Sequence, residues 1–271
     1  MSMDLRVGFI GGGAMAEAIV AGITQGTVSR ENIYVSDHKA ARCQQLAEQY
    51  GIHASVGADS FLGHVDVLFL AVKPQAAAKA IAEVKDKVKG TTLILSIVAG
   101  LTLDVLEASF AEQPVVRIMP NTPLSVGAGM SAFACGTRAG EAESAIVAEL
   151  LSSVGRAIEV TETAMDAVTG LSGSGPAYVF LLIDALSDGG VAAGLKRDDA
   201  TLLATQTVYG AAKMVLETGK HPDALRDQVT SPAGTTIAGV RVLENRGLRG
   251  ALIDAVIAAT EKSKDLGKSK K

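Results

Sequence analysis

The chain has 271 residues, 48% of them hydrophobic, with 29 Gly, no Trp and only four Tyr and six Phe. That length supports two ordinary domains with real cores, and so many small side chains suit closely packed α/β and α structure rather than a β-sandwich or a disordered chain. A net charge of −4 supplies no basic field for a phosphate backbone, which argues against nucleic acid as a partner. Cys43 and Cys135 lie far apart and the four His are scattered, giving neither a disulfide framework nor a metal-ligand cluster and pointing to a reducing, cytoplasmic setting. The first strand is reached by about Leu5, which leaves no room for a signal peptide, and no run of 18 apolar residues could span a membrane.

Residues 7 to 22 run from an apolar strand through glycines into an Ala-rich helix. The spacing Gly11-x-Gly13-x-x-Ala16 is a dinucleotide fingerprint. Gly11 takes the tight turn, Gly13 lets the backbone approach a pyrophosphate, Ala16 lets the helix pack closely, and the helix N-terminus presents unpaired N–H groups to the anion. The first half continues as alternating strand and helix, with strands predicted near 5–10, 32–36, 66–72, 92–97, 115–119 and 129–134. Helices are predicted near 14–25, 38–50, 75–88, 102–109 and 140–153. Val65 to Val72 and Thr92 to Ile97 are continuous apolar runs, as expected of strands covered on both faces. The fold class is therefore α/β, a Rossmann-like doubly wound sheet, whose ligands gather at the carboxyl ends of the strands.

Those carboxyl ends carry the first candidates. Strand two ends at Ser36-Asp37-His38-Lys39, where an acid pairs with ribose hydroxyls and favours NAD, while Ser with nearby Lys suits the extra phosphate of NADP. Asp37 serves either as a ribose contact or as the N-cap of the following helix. Ala71-Val72-Lys73-Pro74 closes the next strand, with the proline holding Lys73 extended; Lys73 reaches phosphate or nicotinamide ribose, or is a solvated lysine. The small residues of Ser96 to Gly100 let a nicotinamide lie flat or simply turn the chain, and Met119 to Pro123 lines a pocket or forms a fixed loop.

After about Glu162 the strand signals stop, and helices are predicted near 164–190, 197–217, 222–229, 234–246 and 248–266. This divides the chain into a dinucleotide-binding domain at 1–162 and an all-α domain at 163–271. Leu171-Ser-Gly-Ser-Gly-Pro176 either breaks the first of these helices or marks a close contact. Phe180 to Leu186 and Leu202 to Ala204 are apolar on more than one face, which calls for burial against another subunit. Lys262, Lys264, Lys268, Lys270 and Lys271 read as a solvated helix end more readily than as an interaction arm. Ser231-Pro-Ala-Gly-Thr-Thr236 precedes an amphipathic stretch and reads as a second anion-binding helix N-terminus. Gly234 allows close approach, and the N–H groups of Gly234 to Thr236 point outward among three hydroxyls. A carboxylate suits it better than a phosphate, since no Arg or Lys adjoins it. A plain Ser/Thr cap is the simpler reading of that string alone; its coexistence with a dinucleotide domain favours the anion site.

Five motifs in this order, Phe9 to Met15, Ala71 to Pro74, Arg117 to Pro123, Gly173 to Tyr178 and Ser231 to Thr236, together with Ala212 to Glu217 and His221-Pro222, resemble pyrroline-5-carboxylate reductase over nearly the whole chain. The resemblance implies reduction of (S)-1-pyrroline-5-carboxylate to L-proline by NAD(P)H, the last step of proline biosynthesis. It implies a Rossmann domain followed by a helical dimerisation domain, with homodimers that often assemble into decamers. By the same resemblance the cofactor, NADPH with NADH as second candidate, falls on Ile10, Gly11, Gly12, Gly13, Ala14, Met15, Ser36, Ala71, Val72, Lys73, Pro74, Val98 and Ala99. The substrate falls on Ser231, Gly234, Thr235 and Thr236, with Thr236 placed to bond the ring nitrogen as the catalytic residue.

Two positions depart from the family pattern. Ala233 stands where the family often has Gly, a change that matters only if the position needs positive φ. Asp37 puts negative charge where a 2′-phosphate would lie. The nearest rival is a β-hydroxyacid dehydrogenase-type oxidoreductase. Gly170-x-x-Gly173-x-Gly175 is similar to that group's helix start, but the catalytic lysine expected four residues on is replaced by Val179. A non-catalytic dinucleotide-sensing protein is the alternative from another class, and the intact Ser/Thr cluster argues against it.

Overall fold

A computed structural model describes residues 3–268. The first apolar run forms β1 (Val7–Ile10), and the glycine turn delivers the chain into α1 (Ala14–Ile23), whose Ala16, Ile19, Val20 and Ile23 are buried. Then follow β2 (Ile33–Ser36), α2 (Ala40–Tyr50), β3 (His53–Ser55), α3 (Asp59–Leu62), β4 (Val67–Leu70) and α4 (Ala77–Val84). The alternation continues through β5 (Leu93–Ser96), α5 (Leu103–Ser109), β6 (Val115–Met119), β7 (Gly129–Cys135), α6 (Glu141–Ser152) and β8 (Gly155–Glu159). The eight strands form one sheet in the order β3-β2-β1-β4-β5-β6-β7-β8, parallel except for the β6–β7 pair. The chain reverses direction across the sheet between β1 and β4, the switch point where such sheets hold ligands.

Period-two alternation assigns the apolar residues of the central strands to two faces. Phe9, Val35, Phe69, Leu95 and Ile118 pack with α1 and α6 on one face, whereas Leu68, Leu70, Ile94 and Ala132 pack with α3, α4 and α5 on the other. The rings of Phe9 and Phe69 stack 4.6 Å apart across adjacent strands. The sequence did not reveal β3, α3 and β8. The first two are only three and four residues long, too short for periodicity to register, and β8 is an edge strand reading Gly-Arg-Ala-Ile-Glu with mostly exposed side chains.

Beyond the sheet, α7 (Met165–Val168) runs into a π-helical turn at Thr169–Gly173, and α8 (Gly175–Ala192) restarts with Pro176 in its first turn. The glycines and proline therefore do break the long helix predicted over 164–190, and a π-turn absorbs the break. The remainder is α9 (Arg197–Thr218), α10 (Pro222–Gln228), α11 (Thr235–Asn245) and α12 (Leu248–Lys268). The chain divides into two compact units: one takes the residues up to Gly173 and the stretch from Ala259 onward, the other Ser174–Ala258. In the second unit only Ser187, Ala200 and Ala204 are buried, while Phe180, Leu181, Leu202 and Leu203 are each more than half exposed. Of the C-terminal lysines, Lys264 pairs with Glu261 at 2.7 Å; Lys270 and Lys271 lie outside the described residues. No described helix is long and apolar enough to cross a membrane.

Two part-buried hydrogen-bonded ties hold the first unit beyond its apolar core. Arg117 of β6, 5% exposed at its side chain, donates to Glu162 Oε1 at 2.7 Å, and the same oxygen accepts the Leu103 N–H that opens α5. Asn121 donates to Ser172 O at 3.1 Å and accepts from Met130 N at 2.9 Å. Both ends of its amide are thus committed, which fixes the loop that follows β6.

Candidate functional site

At the carboxyl end of β1 the three glycines have separate geometries. Gly11 has φ +101°, and a Cβ there would lie 2.7 Å from Ala71 O, so only glycine fits. Its N–H donates to Ser36 O at 2.7 Å. Gly12 is buried and faces inward, its N–H donating to Asp37 Oδ2 at 2.9 Å and its C=O accepting from Arg42 Nε at 2.6 Å. Gly13 is the N-cap of α1; it and Ala14 are exposed, and a Cβ on Gly13 would meet no atom within 4 Å. The turn is held from behind and open in front. The first N–H groups of α1 are on that open side, where an anion gains both hydrogen bonds and the helix dipole.

The other sequence-derived residues of this cluster end neighbouring strands in register, with Ile10 opposite both Ser36 and Leu70, and Leu70 opposite Ser96. Ile10 and Val98 bury their side chains in the core, so their backbones alone can face a ligand. Ser36 is buried, Ala71 and Val72 are half-buried, and Lys73 is exposed and extended ahead of the turn that Pro74 opens. Val98 N–H donates to Ser96 Oγ at 3.3 Å, and Ala99 is exposed beyond it.

Asp37 departs from the N-cap reading. Helix α2 begins at Ala40 with Lys39 at its N-cap, and the Asp37 carboxylate bridges Lys39 N (3.0 Å) and Gly12 N (2.9 Å). It is a pin between the end of β2 and the glycine turn, 12% exposed at its side chain. Sequence reasoning also missed Arg42, Glu17 and Tyr50. Arg42 pairs with Glu17 Oε2 at 2.6 Å, and Tyr50 donates to Glu17 Oε1 at 3.1 Å. Burial, and then the Glu17 carboxylate, raise the Tyr50 hydroxyl above its ordinary pKa. No local pattern announces an arginine whose principal partner is a backbone carbonyl thirty residues earlier.

The Ser231–Thr236 cluster belongs to the second unit. Gly234 N–H donates to Ser231 O at 3.1 Å, closing a four-residue turn with Pro232 second and Ala233 third at φ +57°. Proline followed by a left-handed residue is the signature of a type II turn, which normally places Gly third. Ala233 is the one non-glycine with positive φ among the described residues. This corrects the expectation that three consecutive N–H groups face outward: Gly234 spends its own inside the turn. The first intrahelical bond is from Ala238 N to Gly234 O, so the donors left at the start of α11 are those of Thr235, Thr236 and Ile237. Ser231 and Thr235 are exposed and Thr236 is half-buried. Among the described residues no group of His, Cys, Asp or Glu could hold a metal ion.

Comparison with known proteins gives a consistent match. A family model described as pyrroline-5-carboxylate reductase dimerisation matches residues 162–266, and one described as NADP oxidoreductase, coenzyme F420-dependent, matches residues 6–100. The pyrroline-5-carboxylate reductase of Arabidopsis thaliana is 45% identical over 98% of this chain and 97% of its own, and that of Escherichia coli K12 is 41% identical over 98% of this chain and 100% of its own. Among solved structures, a pyrroline-5-carboxylate reductase from Coxiella burnetii aligns with a TM-score of 0.92 at 35% identity, covering 97% of this chain and 99% of that one. The Plasmodium falciparum pyrroline carboxylate reductase with NADP bound aligns with a TM-score of 0.86 at 31% identity, covering 98% of this chain and all of that one.

Proposed function

This chain belongs to the pyrroline-5-carboxylate reductase family, and we infer from that membership and its two helix-start turns that it reduces (S)-1-pyrroline-5-carboxylate to L-proline, the last step of proline biosynthesis. The structural observation that carries the reading is the glycine turn, open at Gly13 and held from behind at Gly12. These residues fit a dinucleotide: the space beside Gly13 admits a diphosphate, and the α1 N-terminus supplies its donors. NAD(P)H, when bound, supplies the hydride. Gly11 to Met15 hold the diphosphate side, Ser36 and Asp37 the adenosine ribose side, and the backbones of Ala71 to Pro74 and of Val98 and Ala99 the nicotinamide side.

The free N–H groups at the start of α11 suit the substrate carboxylate, with Ser231 beside them. Thr236 is the residue we assign to the ring nitrogen. A protonated imine is already electrophilic, so holding it in place and keeping its nitrogen hydrogen-bonded supplies most of what the chain must add. No strong acid is needed. The β-hydroxyacid alternative needs a base where this chain has Val179, an apolar residue that accepts no proton.

The exposed apolar helices of the second unit support a homodimer, and decamers built from such dimers are the further assembly proposed. Two free cysteines, Cys43 and Cys135, support a cytoplasmic setting. The deciding assay follows NADH and NADPH oxidation with pyrroline-5-carboxylate, beside NAD(P)+ reduction with 3-hydroxy acids. Turnover of the imine alone is expected, and activity confined to the hydroxy acids would overturn the reading.

A further inference from the structure

Arg42 has no part in the reading above, yet its guanidinium is among the most completely engaged polar groups beside the glycine turn. Nε donates to Gly12 O at 2.6 Å, one terminal nitrogen to Glu17 Oε2 at 2.6 Å and the other to Gln45 Oε1 at 2.9 Å, with the side chain 19% exposed. Asp37 takes the N–H of that same Gly12. Both polar groups of one backbone residue are therefore clasped by side chains, one from the end of β2 and one from α2.

We propose that Arg42 is a positioning residue for the cofactor diphosphate, fixing the plane of the Gly12–Gly13 peptide so that the Gly13 N–H points to the open side of the turn. That peptide is trans, so its N–H points opposite to its C=O; a carbonyl locked inward toward Arg42 aims the next N–H outward. Gly13 itself is exposed, and a Cβ on it would meet no atom within 4 Å, so the turn is open at this residue. Arg42 has a second effect through Glu17, whose carboxylate lies in the first turn of α1, where a bound diphosphate would otherwise face an unpaired negative charge. The guanidinium already donates from each of its three nitrogens to Gly12, Glu17 and Gln45, and its charge is paired with Glu17 at 2.6 Å, which makes Arg42 a brace of the turn rather than a free cation for a 2′-phosphate. This inference rests on the assignment of the diphosphate to the glycine turn.

Titration calorimetry with ADP-ribose, NADH and NADPH tests it on Arg42→Met and Arg42→Lys, beside steady-state kinetics and melting curves. Arg42→Met is expected to weaken all three ligands together by about tenfold, raising KM for either cofactor while kcat and the KM for the imine stay within about twofold. Arg42→Lys keeps one donor for Gly12 O but lacks the fork that also serves Glu17 and Gln45, so it should recover part of the loss; should Arg42→Met not fold, a smaller common weakening in Arg42→Lys carries the test. A lowered melting temperature with unchanged ADP-ribose affinity would make Arg42 merely structural and overturn the proposal, as would a loss confined to NADPH. Wild-type protein that itself fails to bind ADP-ribose would overturn the placement of the diphosphate instead.

Discussion

Thr236 lies half-buried in the first turn of α11, among N–H groups that precede the helix's first intrahelical bond. Replacing it by Val keeps the β-branched shape and every backbone donor, so folding and cofactor affinity should persist. On the assignment of Thr236 to the ring nitrogen, the expected loss is one hydrogen bond to a charged group, about 1.5–3 kcal/mol, or roughly ten- to a hundredfold in kcat/KM for the imine. Near wild-type kcat/KM in Thr236→Val would reduce the residue to a helix cap. Asp37 carries the second prediction at this scale. Its carboxylate is held by the Gly12 and Lys39 N–H groups with His38 Nδ1 at 3.2 Å, and on the assignment of the adenosine ribose to this strand end it would lie near a 2′-phosphate. Asp37→Ala should weaken both cofactors through the loosened turn, yet shift the NADPH/NADH ratio of kcat/KM toward NADPH by about fivefold, as repulsion of the extra phosphate disappears. Equal losses for the two cofactors would leave Asp37 with only its pinning role.

The turn before α11 is an element whose sequence and backbone disagree. Ala233 holds φ +57°, which costs a side-chain-bearing residue about 1–2 kcal/mol relative to glycine, partly offset by the greater freedom glycine has in the unfolded chain. Ala233→Gly is therefore expected to raise the melting temperature by about 1–3 °C with little change in the KM for the imine, since the turn shape is retained. A fall in melting temperature would mean that the left-handed conformation is not the one adopted in solution. Glycine at the next position has a different reason: a Cβ on Gly234 would fall against Ser231 Oγ, so substitution there displaces a residue assigned to the substrate and should raise its KM without weakening NADPH.

At the scale of the whole molecule, the helices of the second unit expose on a single chain the apolar surface that a domain core would bury, including Phe180, Leu181, Leu202, Leu203 and Tyr209. The family model covering 162–266 is a dimerisation module, and an isologous pairing of these helices would bury that surface on both copies at once. Light scattering on dilution should find a dimer or a larger even assembly down to sub-micromolar concentration. Leu202→Glu together with Leu203→Glu should dissociate it and abolish turnover while leaving the first unit folded. A stable, fully active monomer would refute the assembly.

What the sequence determined by itself was whatever contiguous residues encode. The glycine spacing at 11–16, the doubly covered strands β4 and β5, the extended Lys73 before Pro74 and the turn to helices after Glu162 all follow from local period and backbone restriction, which act over a few residues. What only the tertiary structure decided were partners and backbone angles set by distant segments. Arg42 is assigned by a carbonyl thirty residues away, Asp37 by the Gly12 N–H rather than by its own helix, and Asn121 by Met130 and Ser172. The left-handed angle at Ala233 depends on a turn closed by Ser231, and the π-turn at Thr169–Gly173 on how a broken helix is bridged. Hydrogen-bond partners and the sign of φ are properties of neighbours in space; periodicity, which the chain carries in its order, reports only which face of an element is apolar.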